Sequence, residues 1–239
     1  MILITLLLLV AFISAVNVEW RVFTDHSVEG EMPIGLCVEG QYIYATGFNR
    51  SLNGASLYVE KRDVRDGRLI KTWKSQVKGS GWLTGCVVSG NRLYVVGYVN
   101  GTWSIFSLNL DLSDNRVNKS LVRGVPFFVI SDGRFLYIAG YESVGIDGER
   151  WRVEKWNIGN LSLVGIYSPS NVKYLGRALA IGLNRETHQL WVVGYNSTNW
   201  HLEVLRENLS SVAVLRPDLR GRALGVVFDE EGNAYVYGI

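Results

Sequence analysis

An all-β fold built from a repeated four-stranded unit is what this 239-residue sequence predicts. Three observations lead there: a composition suited to short strands, a motif that recurs five times, and a partial copy of that repeat near the N-terminus. The composition sets 26 Gly against 4 Pro, with 8 Trp and 12 Tyr, which suits half-buried strands joined by tight turns.

The motif is an apolar strand, a short polar turn, and a second strand ending in aromatic-x-x-Gly plus one further apolar or aromatic residue. It reads Tyr44-Ala-Thr-Gly47-Phe48, Tyr94-Val-Val-Gly97-Tyr98, Tyr137-Ile-Ala-Gly140-Tyr141, Trp191-Val-Val-Gly194-Tyr195 and Tyr235-Val-Tyr-Gly238-Ile239. The glycines recur every 43 to 54 residues, the length of a four-stranded propeller blade. The expected fold is therefore a single β-propeller of about five four-stranded blades over residues 16–239. The glycine is read as a place where the strand twists or bulges, and the first aromatic as a packing residue.

A third strand follows each motif. Trp103-Ser-Ile-Phe106, Trp151-Arg-Val-Glu154 and Trp200-His-Leu-Glu203 align, with Leu57-Tyr-Val-Glu60 carrying Leu in place of Trp. Period-2 alternation puts the first and third residues of each on one face, to be buried between blades. The chain stops at Ile239, where the fifth third strand is due, and Trp20-Arg-Val-Phe23 matches that missing strand. The reading is a ring closed by the N-terminal strand completing the last blade, which removes two exposed sheet edges.

This repeat resembles that of secreted bacterial and archaeal β-propeller proteins whose blades carry a Tyr-x-x-Gly-Tyr second strand. The resemblance covers nearly all of residues 16–239. It implies the fold and an extracellular or cell-surface setting, but carries no catalytic residue.

Export is also expected from the N-terminus. Residues 1–15 are an apolar run bounded by Asn17 and Glu19, short of the ~20 residues of a membrane span and read as a signal peptide cut after Ala15. Membrane attachment would come only through this segment left uncleaved. Six Asn-x-Ser/Thr acceptors, Asn49, Asn100, Asn118, Asn160, Asn196 and Asn208, fit a glycosylated exported chain. The net charge of +2 is dispersed along the chain, so no nucleic-acid partner is expected.

No cofactor or metal is expected: His26, His188 and His201 lie apart, and no nucleophile elbow or phosphate loop is present. The presumed inner strands, 36–38, 85–88, 127–130, 180–183 and 225–228, hold no Asp or Glu, against a glycosidase pair in the channel. Asp229-Glu-Glu-Gly232-Asn233 reads as a hairpin turn. Cys37 and Cys86 are placed at the same inner-strand position of the first two blades. A disulfide requires Cα atoms within about 7 Å, and two packed thiols on separate inner strands is the favoured alternative.

Aligning the blades puts Pro33, Trp82, Gly124, Arg177 and Arg222 at one entry position, with Arg123 beside Gly124. Trp82, Arg123, Arg177 and Arg222 are the candidate ligand-binding residues, since Arg offers a planar donor fork and Trp a stacking face. The alternative is a set of surface arginines in turns. Loops 48–56 and 141–149 are read as recognition loops on that face, and glycans at Asn49, Asn100 and Asn196 would crowd part of it. The function expected is a non-catalytic extracellular or cell-envelope module binding a glycan, an anionic group or an envelope protein. The alternative is a polysaccharide-active hydrolase or lyase on the same scaffold.

Overall fold

A computed structural model describes residues 31–51, 54–146, 148–169 and 175–239. The leader at 1–15, the closing strand at 20–23 and His26 lie outside the described residues.

Strands account for the regular structure of the described residues, and the named strands all pair antiparallel. The first blade is β1 (Glu31–Glu39), β2 (Tyr42–Ser51), β3 (Gly54–Asp63) and β4 (Leu69–Val77), paired in that order. Next come β5 (Gly81–Ser89), β6 (Arg92–Val99), β7 (Thr102–Asn109) and β8 (Arg116–Ser131), then β9 (Phe135–Val144), β10 (Gly148–Asn157) and β11 (Leu163–Tyr167). These seven form one continuous sheet because β8 serves twice. Its first half pairs with β7 as the outer strand of the second blade, and from Gly124 onward it pairs with β9 as the inner strand of the third. The fourth blade is β12 (Gly176–Asn184), β13 (Gln189–Asn196), β14 (Asn199–Arg206) and β15 (Ser211–Leu215). A two-stranded sheet, β16 (Ala223–Phe228) and β17 (Ala234–Gly238), follows.

Packing explains the order. Successive inner strands meet, β1 with β5, β5 with β8, β8 with β12 and β12 with β16. Four apolar cores lie at the four boundaries so formed, and each draws on two neighbouring blades. Leu57 and Val59 face Leu83, Val95 and Phe106 in the first, and Trp151 and Val153 face Ala178, Ile181 and Val192 in the third. Trp103 and Trp151 are fully buried, as the third-strand alignment predicts. Each indole N–H reaches the next blade: Trp103 donates to the carbonyl of Tyr141 at 3.0 Å, Trp151 to Tyr195 at 2.8 Å and Trp200 to Ile239 at 3.3 Å. A buried indole N–H needs an acceptor, and the repeat supplies the same one each time.

The first aromatic of the motif is core in three blades, Tyr44, Tyr94 and Tyr137 being buried, whereas Tyr235 is exposed. The glycine has a sharper role than a general tendency to bulge. Opposite it, every inner strand carries one extra residue: Ile34, Thr84, Phe127, Leu179 and Leu224 interrupt the register. A Cβ at Gly47, Gly97, Gly140, Gly194 or Gly238 would run into the carbonyl oxygen of Met32, Trp82, Val125, Arg177 or Arg222. The bulge thus sits on the partner strand, and the glycine makes room for it.

The inner hairpins close with glycine in the left-handed region at Gly40 and Gly90, and with Asx turns elsewhere. Asp229 takes the backbone N–H of Glu231 and Asn233, so 229–233 is a hairpin turn as read from the sequence.

Cys37 and Cys86 are bonded, with Cα atoms 5.8 Å apart. This corrects the expectation of two packed thiols, and also the equivalence of their positions. Cys37 pairs with Tyr44, the motif aromatic, whereas Cys86 pairs with Val95, the residue after it. Offset by one, they point to opposite faces of their sheets and so towards each other across the blade boundary. Gly35 lets the strands close in, because a Cβ there would lie 2.9 Å from the Cα of Gly85.

Candidate functional site: the channel mouth

The strand register corrects the entry alignment. Trp82 pairs with Tyr98 and Arg177 with Tyr195, and the same slot holds Met32 opposite Phe48 and Val125 opposite Tyr141. Met32 and Val125 therefore take the places assigned to Pro33 and Gly124. In the last sheet Arg222 and Ile239 exchange backbone hydrogen bonds of 2.7 and 3.0 Å, which confirms Arg222 in this slot. The bulge begins just beyond, so a one-residue slip entered wherever the alignment was anchored on Pro or Gly.

Three of the four candidate side chains meet the aromatic that ends a motif. The Trp82 ring stacks on Tyr98 with centroids 4.2 Å apart and planes at 19°, and Phe48 lies 6.3 Å away. The Arg177 guanidinium lies 4.7 Å from the centre of Tyr141 and 5.9 Å from that of Phe127. Arg222 lies 4.8 Å from the centre of Tyr195. Each arginine thus reaches back over the tyrosine of the preceding blade, a cation–π arrangement worth about 0.5–1 kcal/mol at an exposed site. Arg123 is different. It is exposed against the β6–β7 turn at Gly101, and among the described residues no ring lies under its guanidinium.

Charge is unevenly free. Arg177 makes a two-pronged ion pair with Glu149, at 2.5 Å from both Nε and Nη2, so its fork is occupied by a carboxylate of β10, most of the 141–149 stretch expected as a loop being strand. The bond to Glu149 raises the Arg177 pKa against the opposing effect of burial. Among the described residues no carboxylate lies within ion-pair distance of Arg222. Burial raises the pKa of Tyr141 and Tyr195, and Arg177 opposes it in both. These phenols are therefore proton holders and hydrogen-bond donors at neutral pH rather than bases.

Below the mouth, the five bulged residues Ile34, Thr84, Phe127, Leu179 and Leu224 line one cavity of about 340 Å³, together with Leu36, Phe128 and Val129. The bulge is what turns one side chain per inner strand towards the common axis. All five inner strands thus share one register defect, and three boundaries share one inter-blade indole bond.

The fold is that of a β-propeller. The chain is similar to the solved Dos1 propeller, with a TM-score of 0.61 at 11% identity over 87% of this chain and 53% of that one. A chain of the nidogen/laminin complex gives 0.61 at 15% identity over 87% of this chain and 72% of that one. The Neurospora crassa Pan2 WD40 domain gives 0.55 at 15% identity over 85% and 61%. This chain thus spans about half of the Dos1 propeller. No protein-family model matches it, and neither does any curated protein.

The Asn-x-Ser/Thr motifs divide between the two ends of the strands. Asn49, Asn100 and Asn196 sit at second-to-third-strand hairpins on the mouth side, whereas Asn160 and Asn208 occupy third-to-fourth-strand turns on the opposite face. Asn118 lies on the outer half of β8, its amide donating to Leu161 at 2.7 Å.

Sequence reasoning passed over Glu149 as a named residue, and over Tyr98, Tyr141 and Tyr195 as site residues. The signal for the tyrosines was the last position of the motif itself, where an aromatic recurs although it follows the packed glycine. It also passed over a buried network away from the mouth. Arg152 bonds Glu142 at 2.9 Å and Glu154 at 2.7 Å, and Glu154 also takes Ser120 and the Trp156 indole. Next to it His201 bonds Glu203 at 2.8 Å, and Glu203 takes the Tyr167 hydroxyl. That bond and burial push Tyr167 up to about 12. These groups are enclosed and satisfy one another, which suits a structural role.

Proposed function

We propose that this propeller is a non-catalytic binding module of an exported protein, and that its channel mouth takes a glycan carrying an anionic group. One observation carries the reading: the arc of Trp82 on Tyr98, Arg177 on Tyr141 and Arg222 on Tyr195 at a single structural position. Flat rings stack on the C–H face of a sugar, Arg222 is free for a carboxylate or sulfate, and Glu149 accepts from hydroxyls.

The lyase alternative would use a phenol beside Arg177 as base. Tyr141 is there, but its raised pKa and the apolar channel beneath it oppose proton abstraction, so binding is the better reading. Export, the signal peptide and the six glycan acceptors belong to the same proposal and rest on the sequence.

Closure belongs to it as well. Apolar side chains are exposed on both the first and the last sheet, Val38 on one and Val227 and Tyr237 on the other. The described part of the last blade has two strands. We assign segment 20–23 as its third strand, with Trp20 in the place of Trp103 and Trp151.

A glycan-array screen of the purified protein, followed by titration with Trp82→Ala and Arg222→Ala, tests the binding site. We expect binding to acidic glycans that falls at least tenfold in each variant. Binding unchanged in both would overturn the assignment.

A further inference from the structure

The cavity on the propeller axis carries a second site. We infer that the channel holds the apolar chain of a medium-length fatty acid, its carboxylate at Arg222. The inference rests on the mouth being the binding face, but it concerns a different ligand and different lining residues.

The lining makes the case. Of the five bulged side chains, Ile34, Phe127, Leu179 and Leu224 are apolar, and Leu36, Phe128 and Val129 add to them. The one bulged hydroxyl, on Thr84, is occupied, bonding the carbonyl of Pro126 at 2.7 Å and that of Val96 at 3.2 Å. Its proton is thus turned to the wall and not to the cavity. The remaining sulfur, on Cys86, is held in the disulfide. Ile34, Leu36, Phe128 and Leu224 are exposed, so apolar carbon faces water here. An apolar occupant replaces that water at a gain of about 0.8 kcal/mol per methylene buried.

Size and charge narrow the occupant. A volume of about 340 Å³, at roughly 30 Å³ for each water-sized group, takes roughly eleven such groups. A chain of about ten carbons matches that. Phe127 belongs both to the lining and to the mouth, where its ring lies 5.8 Å from Tyr141 and 5.9 Å from the Arg177 guanidinium. A ligand in the channel therefore emerges beside the arginines. Arg177 is neutralised by Glu149, which leaves Arg222, two residues before the lining Leu224, as the partner of the carboxylate.

Isothermal titration with decanoate, decanol and acetate tests this on the purified protein. We expect saturable binding of decanoate and decanol, one per chain, and none of acetate. Leu179→Trp, which fills the cavity, should abolish both, and Leu224→Phe serves if that variant fails to fold. Arg222→Gln should weaken decanoate about tenfold, the worth of a charged hydrogen bond, and leave decanol unchanged. Trp82→Ala should leave decanoate unchanged, so failure of the glycan reading and failure of this one are separable. No saturable decanoate binding, or wild-type binding in the folded cavity-filling variant, overturns the inference. Equal loss of decanoate and decanol in Arg222→Gln would overturn the placement of the carboxylate.

Discussion

The indole N–H of Trp151 donates to the backbone carbonyl of Tyr195 across 2.8 Å, fastening the third blade to the fourth within a fully buried contact. Trp151→Phe keeps most of the ring and removes the donor, leaving the carbonyl of Tyr195 without this partner. We expect a loss of about 1–3 kcal/mol, read as a lower denaturant midpoint at unchanged slope. Trp151→Ala, which also opens a cavity, should cost about 3–5 kcal/mol. If Phe and Ala behave alike, the hydrogen bond contributes nothing.

The Cys37–Cys86 bond spans 49 residues of chain. A loop of that length restricts the unfolded ensemble enough to stabilise the fold by about 4 kcal/mol on chain-entropy grounds. Cys37→Ala/Cys86→Ala should show that loss in denaturant, and the intact protein should lack free thiol when titrated unfolded. Two reactive thiols per chain under non-reducing conditions would refute the bond.

Gly97→Ala places a methyl against the carbonyl of Trp82. Backbone cannot rotate out of the way as a side chain can, so the cost should be about 1–3 kcal/mol. Gly159→Ala, whose new Cβ would meet the Asn157 side chain at 3.3 Å, should stay within about 0.5 kcal/mol of wild type. Circular dichroism melts of the two variants make the comparison.

Acid should weaken the third blade first. Burial works to raise the Glu142 pKa, but bonds from Ser168 and Arg150 and the charge of Arg152 hold it below its ordinary 4.5. A carboxylate depressed in the folded state stabilises fully above its unfolded value and loses that contribution as pH falls through the folded one. Denaturant midpoints measured from neutral pH downward should therefore drop below about 4.5. Glu142→Gln should flatten that part of the profile. A wild-type midpoint indifferent to acid would count against the network.

The repeat was legible because packing imposes it: Tyr44, Tyr94 and Tyr137 are buried, and Gly47 and its counterparts must stay small. Trp103, Trp151 and Trp200 were legible as strand openers for the same reason. What the alignment could not carry was the bulge, because an extra residue such as Thr84 or Leu179 has no composition of its own. That single omission displaced Pro33 and Gly124 from their true slots and hid the offset that aims Cys37 at Cys86. Arg177 was visible as a charge, but Glu149 comes from β10 of another blade, and only the folded chain brings the two together.

One strand belongs to two blades. β8 leaves the second blade and enters the third without a turn, its one irregularity at Ser120–Val122, whereas the first and second blades are joined through residues 78–80 and the fourth blade and the last sheet through 216–222. The second and third blades are therefore coupled through strand backbone. The loops at 78–80 and 216–222 have no such strand across them, and limited proteolysis should cut there before it cuts β8.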